Sequence, residues 1–279
     1  PAQIPFLPVS FFKTHRVQST LFEPQMIFES SGTTQTINSK HYIKDITLYT
    51  ESFLKGFVQF YGDPRNWCII GLLPSYLERQ HSSLVMMVDE LIRQSEHESS
   101  GFYLNEYSRL ADTIQQLEQQ QQKTLLIGVT FALLDFAEAH PIPLQHTVVM
   151  ETGGMKGRKA EMTRQEVHGL LKAAFRLPYI HSEYGMTELL SQSYSRGDGI
   201  FRSPPWMKIL LRNEDDPLEI LNVAGKGTSG VVNIIDLANI YSCSFIATDD
   251  AGKLYPDGSF EILGRIDNSD IRGCSLMAV

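Results

Sequence analysis

Short apolar segments alternate with amphipathic stretches through the first two thirds of this chain, and nothing else limits its fold so strongly. Cys68-Ile69-Ile70-Gly71-Leu72-Leu73, Thr124 to Val129, Thr147 to Met150 and Tyr179 to His181 each read as a strand. Helical patterns lie between them. Tyr49, Phe53, Phe57 and Phe60 recur at helical spacing behind Asp45, a suitable N-cap. Further helices are expected from Ser83 to Ile92, over 106–122 and from Phe131 to Ala139. Thr163 with Glu166 forms a capping-box pattern, opening a helix that sets Val167, Leu170, Leu171 and Ala174 on one face. Strands alternating with helices predict an α/β protein, its mostly parallel sheet covered on both sides.

From residue 205 the pattern changes. Trp206 to Leu211, Val231 to Asp236, Phe245 to Thr248 and Ser259 to Leu263 are strand-like, separated by turns such as Tyr255-Pro256-Asp257-Gly258. We therefore expect an α/β core over 1–204 and a small β-rich subdomain over 205–279. A length of 279 residues accommodates both.

Composition removes several classes of function. A net charge of -8 argues against a broad basic surface for nucleic acid. Cys68, Cys243 and Cys274 are too few and too scattered for a disulfide framework or a zinc site. No apolar run reaches the ~20 residues that span a bilayer. The amino end lacks the basic-then-apolar pattern of a signal peptide and begins in folded-looking sequence, so a preceding segment is expected to be missing. A reduced, cytoplasmic setting is expected.

Three segments suit one nucleotide. Ser30-Ser31-Gly32-Thr33-Thr34 groups hydroxyls and amides beside a glycine, which lets backbone approach phosphate oxygens, although such loops are also common as plain turns. Glu183-Tyr184-Gly185-Met186-Thr187-Glu188 offers an aromatic face for a base, a hydroxyl for a phosphate and a carboxylate for Mg²⁺, although in isolation it reads equally as a polar turn with Tyr184 packed for structure. It falls at the end of an expected strand, where open α/β sheets bind ligands. Thr248-Asp249-Asp250, followed by Gly264-Arg265-Ile266-Asp267, supplies a carboxylate for ribose hydroxyls and a guanidinium for ribose or phosphate. Taken alone, this last pair reads first as an ordinary surface hairpin with a salt bridge.

In this order the segments resemble the adenylate-forming superfamily of acyl-CoA synthetases, luciferases and peptide-synthetase adenylation domains, over roughly 28–273. FESSGTT, ETGGMKGR, HSEYGMTE and DNSDIRGC narrow the resemblance to the LuxE-type acyl-protein synthetases of bacterial luminescence and to short bacterial acyltransferases. The likeness implies that ATP and Mg²⁺ are used. Ser31, Gly32, Thr33 and Thr34 would cradle the β- and γ-phosphates, Gly153 and Gly154 would line the adenine pocket, and Tyr184 would stack on adenine. Thr187 would contact the α-phosphate, Glu188 would bind the metal, and Asp250 with Arg265 would hold the ribose. Asp267 falls where larger relatives hinge towards a mobile carboxyl-terminal domain, which is expected to be absent here.

The activity implied is activation of a fatty or aryl carboxylate to acyl-AMP, then transfer to a thiol. By likeness, Cys274 is the acyl acceptor and a partner protein, a reductase or carrier, receives the group; an inert packed cysteine is the competing assignment. The phosphate loop departs from its relatives, since Gln35-Thr36-Ile37-Asn38-Ser39 replaces the usual glycine, proline and lysine. Lys156 or Arg158 is a candidate source of the missing positive charge. His81 and the Gly128-Val129-Thr130-Phe131-Ala132 corner are candidates for the acyl pocket, although the corner equally suits a core. A CoA ligase resembling phenylacetate–CoA ligases and a non-catalytic nucleotide- or acyl-binding module are the alternatives.

Overall fold

The computed structural model describes residues 4–30, 37–73, 81–104, 106–153 and 162–266. Ser31, Gly32, Thr33, Thr34, Gly154, Lys156, Arg158, Asp267 and Cys274 therefore lie outside the described residues.

In chain order the first elements are β1 (Leu7–Pro8), α1 (Phe11–Thr14), β2 (Met26–Glu29), β3 (Lys40–Ile43), α2 (Ile46–Tyr61) and β4 (Cys68–Leu72). Next come α3 (Ser83–Ser95), β5 (Gly101–Phe102), α4 (Tyr107–Gln119), β6 (Thr124–Val129), α5 (Thr130–Ala139) and β7 (Thr147–Thr152). The remainder are α6 (Arg164–Phe175), β8 (His181–Tyr184), β9 (Ser193–Ser195), β10 (Phe201–Arg202), β11 (Met207–Arg212), β12 (Thr228–Asp236), β13 (Phe245–Leu254) and β14 (Phe260–Arg265).

One 12-stranded sheet runs in the order β11-β12-β13-β14-β10-β9-β8-β7-β6-β4-β5, with β1 beside β13. Strands β5, β4, β6, β7 and β8 pair in parallel. From β8 onward the pairing along that order is antiparallel, beginning with Glu183 opposite Tyr194 on β9. The strand that leads into Tyr184-Gly185-Met186-Thr187-Glu188 therefore stands where the sheet changes sense.

Local chemistry explains why the elements start where they do. Asp45 caps α2 by accepting from the Thr47 amide, and Thr163 with Glu166 forms the expected capping box on α6. Strands β4 and β6 are buried throughout, as a parallel sheet covered on both faces requires. Their side chains join Phe53, Phe57, Leu133 and Phe175 in one core. A second core, with Phe12, Phe201, Ile234 and Phe260, lies under the antiparallel half.

Four expectations need correction. Leu170 is 53% exposed, so the buried face of α6 is Val167, His168, Leu171 and Phe175. The strand expected from Tyr179 to His181 instead spans His181–Tyr184, because backbone pairing to β7 and β9 outweighs the polar character of Ser182 and Glu183. Thr248-Asp249-Asp250 sits inside β13, which does form a hairpin with β14 and carries the Asp250–Arg265 ion pair, but Thr248 and Asp250 are buried rather than at the surface. The 128–132 corner belongs to the core, with Thr130 donating to buried Glu151 at 3.1 Å.

Candidate active site

Strand β8 sends alternate side chains to opposite faces of the sheet, and the site divides accordingly. Tyr184 faces the antiparallel half. Its ring meets Phe201 and Phe260 edge-on, and its hydroxyl donates to Asp250 Oδ2 at 2.7 Å. Asp250 Oδ1 lies 3.7 Å from Arg265 Nε across the β13–β14 ladder, where the two residues pair directly. Tyr184, Asp250 and Arg265, far apart in sequence, thus form one cluster. Burial holds the Asp250 carboxyl above its ordinary range, and the Tyr184 hydrogen bond and the Arg265 charge offset this only in part. Burial and the Asp250 charge both hold the Tyr184 phenol well above its ordinary range.

Glu188 closes the following turn and is buried. Burial raises its carboxyl, while the Ser39 hydroxyl and the charges of Arg265 and Lys13 favour ionisation. Ser39 also ties off the 31–36 stretch, because Ser30 and Ser39 exchange two hydrogen bonds: the Ser30 amide donates to the Ser39 carbonyl, and the Ser39 amide to Ser30 Oγ. Both ends of the expected phosphate segment are thereby tied beside Glu188. Among the described residues no group of three His, Cys, Asp or Glu side chains could cage a metal. A lone buried carboxylate fits Mg²⁺ of the kind carried on phosphates, which takes one or two protein carboxylates and keeps several waters. A cation there would offset the unfavourable burial of Glu188.

Three residues absent from any motif set the turn. The His41 ring meets the Thr187 carbonyl through Nδ1 at 2.9 Å and Ser242 Oγ through Nε2 at 2.8 Å. Burial lowers this imidazole to about 4, so it is neutral at pH 7. Asn239 donates to the Glu188 carbonyl at 2.7 Å. Asp236 accepts from the Leu190 and Ser191 amides, from Ser191 Oγ and from the Ala238 amide.

On the other face of β8 lies a solvent-open cleft of about 100 Å³. Tyr49, Leu84, Met87 and Met186 supply its apolar wall, and Thr152, Gly153, Glu183, Gly185, Thr187 and Gln192 its polar side. Gly153 has φ 74°, a left-handed conformation that suits glycine. Thr152 Oγ1 donates to Glu183 Oε2 at 2.5 Å. Burial, reinforced by the Glu151 charge, pushes the Glu183 carboxyl up to about 7. Burial would raise Glu151 too, but His168, Arg164 and Ser182 outweigh it and keep that carboxyl below its ordinary range.

Of the expected site residues, Tyr184, Asp250, Arg265 and Glu188 share the antiparallel side, whereas Thr187 and Gly153 line the cleft. His81 is exposed and outside the cleft lining; its carbonyl accepts the Glu29 amide. Cys68 is buried, and its thiol is pushed up to about 11 by that burial. The Cys243 thiol donates to the Phe245 carbonyl at 3.2 Å. Neither thiol has the electropositive, accessible setting of a nucleophile.

The fold is shared with enzymes of known structure. The ATP-bound MatB of Rhodopseudomonas palustris matches with a TM-score of 0.63 at 17% identity, over 88% of this chain and 49% of that one. A long-chain-fatty-acid-CoA ligase of Archaeoglobus fulgidus matches at 0.59 and 15%, over 86% and 51%. The luciferase-like enzyme of the mealworm Zophobas morio matches at 0.57 and 16%, over 90% and 60%. This chain therefore has the fold of adenylate-forming enzymes and spans about half to three fifths of the length of these neighbours. No family model and no curated protein matches it. The narrower likeness to acyl-protein synthetases rests on the sequence segments alone. Among the described residues no helix is long and apolar enough to cross a membrane.

Proposed function

We propose that the chain activates a carboxylic acid with ATP and passes the acyl group to a thiol, in the manner of the acyl-protein synthetases it resembles. The observation that carries the reading is the convergence of Tyr184, Asp250, Arg265 and Glu188 at the change of sheet sense, beside the tied ends of the 31–36 segment. The structural neighbours, which include an ATP-bound MatB and a long-chain-fatty-acid-CoA ligase, support it.

In the first step a carboxylate oxygen attacks the α-phosphorus of ATP; pyrophosphate leaves with the electron pair of the broken bond. Two anions meet in that step, so donors and cations must offset their repulsion. Mg²⁺ at Glu188, brought by the phosphates, would supply charge neutralisation. Thr187, on the rim of the cleft, would donate to the α-phosphate. Asp250 would receive ribose hydroxyls on whatever lone pairs Tyr184 and Arg265 leave free. In the second step a thiolate attacks the acyl carbon and AMP departs. Cys274 is the proposed thiol, with a reductase or carrier protein as final acceptor.

Acid-dependent exchange of labelled pyrophosphate into ATP, across aliphatic and aromatic acids, tests the first step. A hydroxylamine-labile acyl adduct that disappears in Cys274→Ser tests the second. Acyl-CoA formation by the purified protein alone would favour the CoA-ligase reading, for which the Archaeoglobus neighbour is the specific support. ATP binding without exchange for any acid would leave a nucleotide-binding module.

A further inference from the structure

The cleft beside β8 carries an arrangement that a plain hydrocarbon tail would leave unanswered. Gln192 is only 5% exposed, and its Oε1 has no hydrogen-bond partner among the described residues. Glu183 lines the same wall, with Oε2 held by Thr152. Gly185 brings the two side chains over one spot. A Cβ placed there would fall 2.4 Å from Glu183 Oε1 and 3.4 Å from Gln192 Cγ. The described residues lining the cleft include two carboxyls, Glu29 and Glu183, and neither lysine nor arginine. Glu29 is already matched by Lys40 at 3.5 Å. The wall therefore holds a pair of acceptors, the ionisable Glu183 carboxyl and, buried within the wall, Gln192 Oε1, in a cleft that also has the apolar Tyr49, Leu84 and Met87 in its lining.

A buried acceptor without a donor is unfavourable until a donor arrives. A site built around such groups rejects analogues that lack the donor far more strongly than an apolar pocket rejects an extra methylene. We propose that this cleft selects carboxylic acids whose tail carries a hydrogen-bond donor, an amine or a hydroxyl, received by Glu183 and Gln192. This rests on the adenylation reading above and adds to it that the cleft, whose rim carries Thr187, holds the tail of the acid rather than the adenine expected at Gly153; it names the chemistry of that acid. Unsubstituted fatty or aryl acids are the poorer substrates.

The test uses the full chain and two matched series: hexanoate with its terminal hydroxyl and amino derivatives, and benzoate with its para-hydroxyl and para-amino derivatives. Pyrophosphate exchange gives kcat/KM for each acid, and calorimetry gives direct binding. At least a tenfold preference for a donor-bearing acid over its plain parent is expected. Gln192→Met, which keeps volume and removes the acceptor, should reduce that preference. Glu183→Gln should abolish the preference for the terminal amine while keeping that for the hydroxyl, which separates the two sources of donor.

Equal or better exchange with the plain parents would overturn the inference and leave adenylation standing. Preferential binding of donor-bearing acids without exchange would support the inference while removing the proposed activity. No preferential binding in either series, with or without exchange, would overturn it. If Glu183→Gln weakened ATP binding and left acid preference unchanged, the carboxyl would belong to the nucleotide and the inference would fall.

Discussion

The two sides of the segment from Glu183 to Gln192 are built differently. On the side facing β3 and the 236–242 loop, buried polar groups find partners: Asp236 accepts four hydrogen bonds, Asn239 holds the Glu188 carbonyl, and both nitrogens of His41 are engaged. On the cleft side, Gln192 Oε1 has no partner among the described residues, and Glu183 is pushed up to about 7 by burial and by the Glu151 charge. The satisfied side fixes the backbone of the turn. The unsatisfied side is the one that leaves hydrogen-bonding capacity for a ligand.

The contrast breaks most visibly at Asp236. Asp236→Ala leaves two main-chain amides of the turn, a third at Ala238 and the Ser191 hydroxyl without their acceptor. Removing a buried charged acceptor with several donors costs about 3 kcal/mol. In a chain of this size that is a fall in Tm of roughly 6–12 °C, read by calorimetry. A variant melting within a degree or two of the parent would show that the turn holds its shape without this clamp.

The cleft side responds to pH instead. The folded Glu183 carboxyl stands near 7, above its ordinary value, so between about 4.5 and 7 the folded state keeps a proton that the unfolded chain has released. Stability from this group is therefore present at low pH and lost as pH rises through that window, flattening above it. The loss amounts to at most about 3 kcal/mol. His41 acts in the opposite sense, because its folded value near 4 favours folding as pH rises towards 6.5. Comparing wild type with Glu183→Gln cancels that background. The stability of wild type relative to the variant should decline from pH 4.5 to 7, and a constant difference would remove Glu183 as a proton-holding group.

This division also marks what was legible in the sequence. Tyr184, Asp250 and Arg265 could be read because each sits in a short motif whose order along the chain carries information, and the fold unites them in one cluster. The capping box at Thr163 and Glu166 is equally plain, because it depends on neighbours three positions apart. Leu170 was misplaced because the stripe on α6 takes in His168, a residue that apolar periodicity passes over. His41, Asp236, Asn239 and Gln192 are single polar residues in unremarkable surroundings. Only the meeting of β3, the 236–242 loop and the approach to β9 buries them. Glu183 offered one usable signal: it precedes Tyr184 in an expected strand neighbourhood, so alternation sends it to the opposite face.

Gly185 provides the finest discrimination, because it touches the cleft side while leaving the clamp intact. Its φ lies outside the left-handed region, so alanine meets no backbone strain there. The obstacle is steric: the added carbon would fall 2.4 Å from Glu183 Oε1, the far end of a flexible side chain that can swing aside. Gly185→Ala should therefore cost only about 1 kcal/mol, at the low end for an overpacked site. The same displacement takes the carboxyl out of the place it occupies beside Gly185. Selectivity between a donor-bearing acid and its plain parent should then fall several-fold while thermal stability scarcely changes, measured by calorimetric binding of both acids alongside melting. If melting fell by as much as in Asp236→Ala, the carboxyl would be locked in place, and the two sides of the segment would be equally rigid.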